Sequence, residues 1–212
     1  MANIYMNLKT IKLLVKEEKI QVRVLIPRRF SILEVDKNNN ILIFQDFTAK
    51  KKGDPNWDAN KIKIDDFCKY FSKIKKHEKI FIREPMIVSG IDVEKRELSV
   101  KYIEDESIVN IPIPNQFLKM IDSKQENLLP EWLSDESKIP RRELNNACRY
   151  VVNIEKIRVE RIKDISIEDC RKEGFSGVEE YEKVWDESVP KGYLFKDNPY
   201  VFIYDFKFKG RK

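Results

Sequence analysis

The sequence predicts an α+β fold, mostly antiparallel in its strands and flanked by helices, and three observations carry that expectation. Short apolar runs alternating with polar residues recur within residues 20–46 and 80–112, at a spacing that suits hairpins and leaves no room for crossover helices. A few other segments repeat their apolar residues at helical spacing. The last quarter, residues 157–206, adds an ordered series: a β run, a capped short helix, a helix carrying Trp185-Asp186, and an Asn198-Pro199 turn into an aromatic strand.

Each element can be justified in turn. Residues 4–6 read as a short strand, Asn7 as an N-cap, and Leu8, Ile11, Leu14 and Val15 as the apolar stripe of a helix ending near Glu18. Ile20, Val22, Val24 and Ile26 then alternate as a strand until Pro27 stops it. Residues 31–46 form a hairpin around the polar turn at 36–40, and residues 48–60, polar and without period, read as a loop. Residues 65–76 suit an amphipathic helix, with Phe67, Tyr70, Phe71 and Ile74 on one side. Strands follow at 80–82, 86–91, 97–103 and 108–112, then a helix near 116–123 and a Pro130 turn. The β-branched run from Tyr150 to Ile162 is a long strand. Ser166 with an acid three residues later caps a helix that Gly174 ends, a second helix spans 177–187, and Tyr200 opens the final strand.

A chain of 212 residues with 42% hydrophobic and 36% charged residues has the apolar material for one enlarged domain, residues 1–212, with probable insertions at 48–60 and 105–138. No apolar stretch is long enough to span a bilayer and the N-terminus lacks the apolar core of a signal peptide, so no membrane partner and a cytoplasmic location are expected. Cys68, Cys148 and Cys170 are widely spaced, which suits reduced thiols rather than a disulfide framework or a zinc site. His77 is the only histidine and suits a solvated turn; no metal and no cofactor are expected, because zinc spacings, a GxGxxG motif and a P-loop are all missing.

The formal charge of +5 is compatible with a polyanionic partner, but 36 acidic residues interleave with 41 basic ones, so local clusters are more telling. Two Pro-Arg-Arg segments, with Arg28 and Arg29 in one and Arg141 and Arg142 in the other, make a phosphate-binding rim if they lie side by side; otherwise they are solvated turns. Lys50, Lys51 and Lys52, and Lys73, Lys75 and Lys76, are further cationic clusters. Trp57 and Trp132 stack bases if exposed and pin loops if buried.

The C-terminal series resembles the ASCH domain of the PUA-like β-barrel superfamily, in the form carried by phage and prophage proteins. Three further stretches carry the resemblance. Residues 17–24 are similar to the family's Gly-x-Lys element and following strand at Lys19, Gln21 and Arg23; residues 80–84, ending in Arg83 and Glu84, are similar to its Leu-Trp-Val-Arg-Glu strand; and residues 139–142 are similar to its Met-Pro-Arg-Trp loop. The resemblance implies a mixed, mostly antiparallel barrel and a module associated with RNA or nucleotides.

It also implies a site. Some small ASCH proteins hydrolyse N4-acetylcytidine with a Lys, a Thr three residues later and a Glu after the long strand; Lys19 and Glu173 match as tentative catalytic residues, but Val22 stands at the Thr position and has no hydroxyl. Gln21, Arg23, Arg83, Glu84, Arg141 and Arg142 are the expected ligand-binding residues. An arginine and a glutamate lining a cleft read an unpaired base by stacking and by accepting from its exocyclic amine, whereas facing each other they are an internal ion pair. The leading expectation is a binding module for RNA, a nucleotide or a modified nucleobase through a cationic cleft. The alternatives are an N4-acylcytidine-type amidohydrolase and a phage accessory protein binding a host protein, and DNA stands beside RNA as a partner.

Overall fold

The computed structural model describes residues 3–5, 8–16, 20–47, 59–133, 139–140 and 143–211. In chain order the elements begin with β1 (Asn3–Tyr5), α1 (Leu8–Val15), β2 (Gln21–Leu25), β3 (Phe30–Asp36), β4 (Ile41–Asp46), β5 (Asn60–Lys63) and α2 (Ile64–Phe71). They continue with β6 (Lys79–Arg83), β7 (Met86–Asp92), β8 (Glu97–Tyr102), β9 (Ile108–Pro112), α3 (Asn115–Asp122), β10 (Tyr150–Arg161), α4 (Ile167–Lys172), α5 (Val178–Ser188) and β11 (Tyr200–Arg211). The protein is thus α+β with mostly antiparallel pairing. Among the described residues no helix is long and apolar enough to cross a membrane.

Contacts divide the chain into two compact units, Met1–Lys12 with Ile80–Val152 and Lys209–Lys212, and Leu13–Lys79 with Asn153–Phe208. In the first unit β1 pairs in parallel with β6, Tyr5 opposite Arg83. The sheet β7-β8-β9 is antiparallel throughout, with Val100 opposite both Val88 and Val109. Its inward residues, Val88, Leu98, Val100 and Ile111, meet Phe117 and Ile121 of α3 together with Leu133 and Ile139. Residues 108–133, read from the sequence as part of an insertion, therefore supply core to this unit. Trp132 lies edge-on to Phe117 at 5.6 Å, the loop-pinning role.

The second unit contains the antiparallel sheet β3-β4-β5 and the neighbouring strands β10, β11 and β2. One core gathers Phe30, Phe44, Phe67, Phe71 and Phe202, with ring centroids 4.8–5.8 Å apart. The other packs Ile165, Cys170, Tyr181, Trp185 and Phe195 against Val201 and Ile203 of β11. Alternation along β11 creates this division: even-numbered Phe202 and Tyr204 face one way, odd-numbered Val201 and Ile203 the other.

Three boundaries differ from expectation. α1 ends at Val15, with its apolar stripe, rather than near Glu18. α2 ends at Phe71 rather than 76, because Ser72 turns extended and its hydroxyl shares a 2.9 Å hydrogen bond with Tyr204. Lys75 Nζ then donates to the exposed carbonyls of Lys69 at 2.7 Å and Ser72 at 2.6 Å, a cation at a helix C-terminus. β5 takes in Asn60, the last residue of the expected loop, and 61–63, to which the sequence assigned no element: Asn60-Lys-Ile-Lys63 has little strand pattern of its own, and its order comes from pairing with β4. Asn7 and residues 48–58, with Trp57 and the Lys50–52 cluster, lie outside the described residues.

Candidate functional site

β2 places Gln21 and Arg23 on one face, since residues two apart on a strand point the same way. Both are charged or polar and both are buried, at 0% and 5% exposure, which is costly unless something answers them. The partner of Arg23 comes from α4. Ser166 Oγ accepts the Asp169 N–H at 3.0 Å, capping the helix as expected. Gly174, at φ +83, ends it directly after Glu173. The left-handed backbone favours glycine there, and a Cβ would also have to displace the Leu13 Cδ1 methyl, 2.4 Å from where it would sit. The one-and-a-half turns so fixed present Asp169 and Glu173 to β2. Arg23 Nη1 donates to Glu173 Oε1, and Nη2 donates to Asp169 Oδ2 at 3.1 Å.

The arrangement extends along the sheet. Asp205 of β11 lies directly opposite Gln21, so the two side chains share a face. Arg158 of β10 donates from Nε to Asp205 at 3.2 Å and from Nη1 to Glu160 at 3.1 Å, and lies 3.8 Å from Asp169. Two guanidiniums thus meet four carboxylates, and Lys37 adds a further cation, 3.4 Å from Glu160, so the cluster is of mixed charge and rich in carboxylates. Burial lowers the Arg158 affinity for its proton, but Asp205 and its neighbours outweigh this and raise it.

Several polar atoms here have no partner among the described residues. Neither the oxygen nor the nitrogen of the Gln21 amide is hydrogen bonded, nor is Arg23 Nε, nor the hydroxyl of Tyr181 of α5. Burial first, and then the Glu173 charge, push the Tyr181 phenol well up, so it remains an O–H donor. Native proteins pair nearly all buried polar groups, so such a concentration in one place is unusual. A depression of about 340 Å³ beside the cluster is lined by Arg158, Asp169, Lys172 and Asp205 together with Ile20 and Phe206; Gln21, Arg23 and Tyr181 are not part of its lining.

The other expected residues fall elsewhere. Arg83 and Glu84 are buried in the first unit, each engaged there. Arg83 Nη1 donates to the Glu143 carbonyl. Glu84 takes a two-pronged bond from Arg149, Nε to Oε2 at 2.9 Å and Nη2 to Oε1 at 2.5 Å. Arg149 Nη1 reaches Asp105 at 2.7 Å and Ser107 at 2.8 Å, and its guanidinium lies 3.7 Å from the centre of the Tyr102 ring. Burial raises the Glu84 carboxyl, an effect that Arg149 only partly offsets. Burial also pushes on Asp105, but the Ser107 and Arg149 hydrogen bonds prevail and hold it well below the usual carboxylate range. Of the base-reading pair, Arg23 therefore has its ion-pair partners in the second unit and Glu84 in the first. Arg28 and Arg29 are exposed. Lys19, Arg141 and Arg142 lie outside the described residues.

Sequence reasoning missed Asp169, Tyr181, Arg149 and Asp105. Asp169 was assigned to the helix cap, but only its backbone N–H serves the cap. Arg149 carried a usable signal, a lone charge between Ala147-Cys148 and the apolar strand beginning at Tyr150.

Fold and site together define an α+β protein with a buried, incompletely paired polar cluster on a β-sheet face. No protein-family model, curated protein or solved structure matches the chain.

Proposed function

We propose that the protein is a binding module for RNA, a nucleotide or a modified nucleobase, built on an ASCH-like, PUA-type barrel, and that Gln21, Arg23 and Tyr181 receive the polar edge of the base. The single observation that carries this is Gln21, fully buried with both amide atoms unpartnered beside the Arg23–Glu173 pair. An amide offers a donor and an acceptor side by side, the complement of a base edge. Arg23 Nε–H and the Tyr181 O–H supply further donors, and Phe206 and Ile20 give the depression an apolar wall. The four carboxylates argue against a phosphate in the cluster itself, since like charges held close in a poorly solvated place repel strongly. The neutral base is the part of a nucleotide that fits.

The test is Gln21→Leu, compared with wild type by thermal unfolding in a panel of ribonucleosides, N4-acetylcytidine and 5′-monophosphates. Without ligand the variant is expected to be more stable, because leaving a buried polar group unsatisfied costs about 1–3 kcal/mol. A ligand at one hundred times its Kd stabilises the wild type by about 2.7 kcal/mol. The variant should show no such response. A wild type that no member of the panel stabilises at millimolar concentration would end this reading.

A further inference from the structure

At one end of the second unit β2 and β10 finish and β11 begins. Val201 stands opposite Leu25, Ile162 N–H donates to the Pro199 carbonyl at 2.9 Å, and the Lys163 N–H donates to Asn198 Oδ1 at 3.1 Å. Asn198 holds the turn in the left-handed region, at φ 51. Two arginines lie over tyrosines there: Arg28 Cζ is 5.3 Å from the centre of the Tyr193 ring, and Arg161 Cζ is 3.8 Å from that of Tyr200. Arg161 is steadied by donating to the Asn198 carbonyl at 2.9 Å.

The charges at this end are unevenly matched. Asp197 accepts from Leu194 N–H and Asp186 from Phe195 N–H, while Glu160 and Asp164 are engaged by Lys37. Arg28, Arg29, Lys163, Lys191 and Lys196 are exposed, and none has a carboxylate within ion-pair distance among the described residues. This cationic end, with its two guanidinium–tyrosine pairs, contrasts with the carboxylate-rich cluster around Arg23 in the same unit.

We propose that this end is a track for single-stranded nucleic acid, with Arg28 and Arg161 each contacting phosphate through the guanidinium edge while resting on Tyr193 and Tyr200. A guanidinium held over an aromatic ring keeps its fork of donors available, and its outer plane is a surface on which an unpaired base stacks. A duplex, whose bases are already stacked, makes only the phosphate contacts. The inference rests on the nucleobase reading above and adds to it that the base belongs to a strand.

The experiment measures fluorescein-labelled U12, A12, dT12 and a 12-base-pair duplex against uridine and adenosine 5′-monophosphates at several salt concentrations. It compares wild type with Arg28→Ala/Arg161→Ala, with Arg28→Lys/Arg161→Lys, and with Lys119→Ala/Lys124→Ala as a control on the other unit. Wild type should bind a single strand more tightly than a monophosphate or the duplex. The alanine pair should weaken strand binding about tenfold or more and flatten the plot of log affinity against log salt by about 1.4, since each single-strand phosphate contact contributes about 0.7. The lysine pair should keep the slope but lose affinity, and neither pair should change monophosphate binding. Strand binding unchanged in the alanine pair, or a duplex bound as tightly, overturns the track. Monophosphates bound as tightly as strands overturn it too, while leaving the nucleobase reading intact. Failure of every probe overturns the track, while the nucleobase reading stands or falls on the ribonucleoside panel above.

Discussion

Arg149 and Arg23 are both buried arginines held by two acidic side chains, yet they occupy opposite kinds of environment. Around Arg149 Nε, Nη1 and Nη2 all donate, to Glu84, Asp105 and Ser107, and the Tyr102 ring covers the plane. Around Arg23 Nε is unpartnered among the described residues, and so are the nearby Gln21 amide and Tyr181 hydroxyl. Burial alone therefore does not distinguish the two arginines. Saturation does: a completed network rigidifies a core, whereas an incomplete one leaves buried polar atoms that cost stability.

The largest effect should come from breaking the saturated side. Arg149→Met leaves Glu84 buried without its partner, and removing one member of a buried pair costs about 3–5 kcal/mol. Urea unfolding should register most of that loss, and a cost under about 1 kcal/mol would remove the contrast with the Arg23 cluster. Gln21→Leu comes next, with a gain of about 1–3 kcal/mol from relieving an unsatisfied amide. The sign is the point: the same kind of change, polar to apolar, should cost in one unit and stabilise in the other.

A matched pair of tyrosines refines the comparison. Tyr102 donates its hydroxyl to the Ala147 carbonyl, and Tyr102→Phe strands that acceptor, a loss of about 1 kcal/mol. Tyr181 is equally buried but its hydroxyl has no partner, so Tyr181→Phe should be neutral or stabilising by up to about 1 kcal/mol. Equal losses in thermal unfolding would mean that Tyr181 is satisfied in solution and the cluster is closed.

Much of the fold is legible in the sequence because it is written locally. The hairpins at 30–46 and 86–102 follow from alternation around polar turns, and the Ser166 cap and Gly174 stop are read from adjacent residues. The site is legible only in part, since its bonds join residues far apart: Arg23 is 150 positions from Glu173 and 146 from Asp169, and no local pattern encodes such a pair. Gln21, Arg23 and Glu173 stand out by resemblance, whereas Asp169 reads as the acid of a helix cap and Tyr181 carries no local signal beyond its place in the 177–187 helix. β5 shows the same limit in the backbone, a strand that exists because β4 pairs with it.

The smallest effect concerns acid, and it turns on two carboxylates of one network that are shifted in opposite directions. Asp105 is held below its ordinary value of 3.8, so its contribution to stability is present above that pH and is lost as pH falls below 3.8 toward the folded-state value. Glu84 is raised above its ordinary value of 4.5, so its contribution is present below that pH and is lost as pH rises through its folded-state value. On acidification the Glu84 contribution therefore grows first, and the Asp105 contribution falls away only below 3.8. Asp105→Asn should accordingly be less stable than wild type at neutral pH, and the difference should narrow as both are acidified to about pH 2.5. Because 40% of the Asp105 side chain is exposed, solvent screens the interaction and the change should be modest. Thermal unfolding across that range reads it directly. A difference that stays constant with pH would mean that Asp105 is held only by the neutral Ser107 contact geometry and adds no charge to the Arg149 network, which would then be as incomplete as that of Arg23.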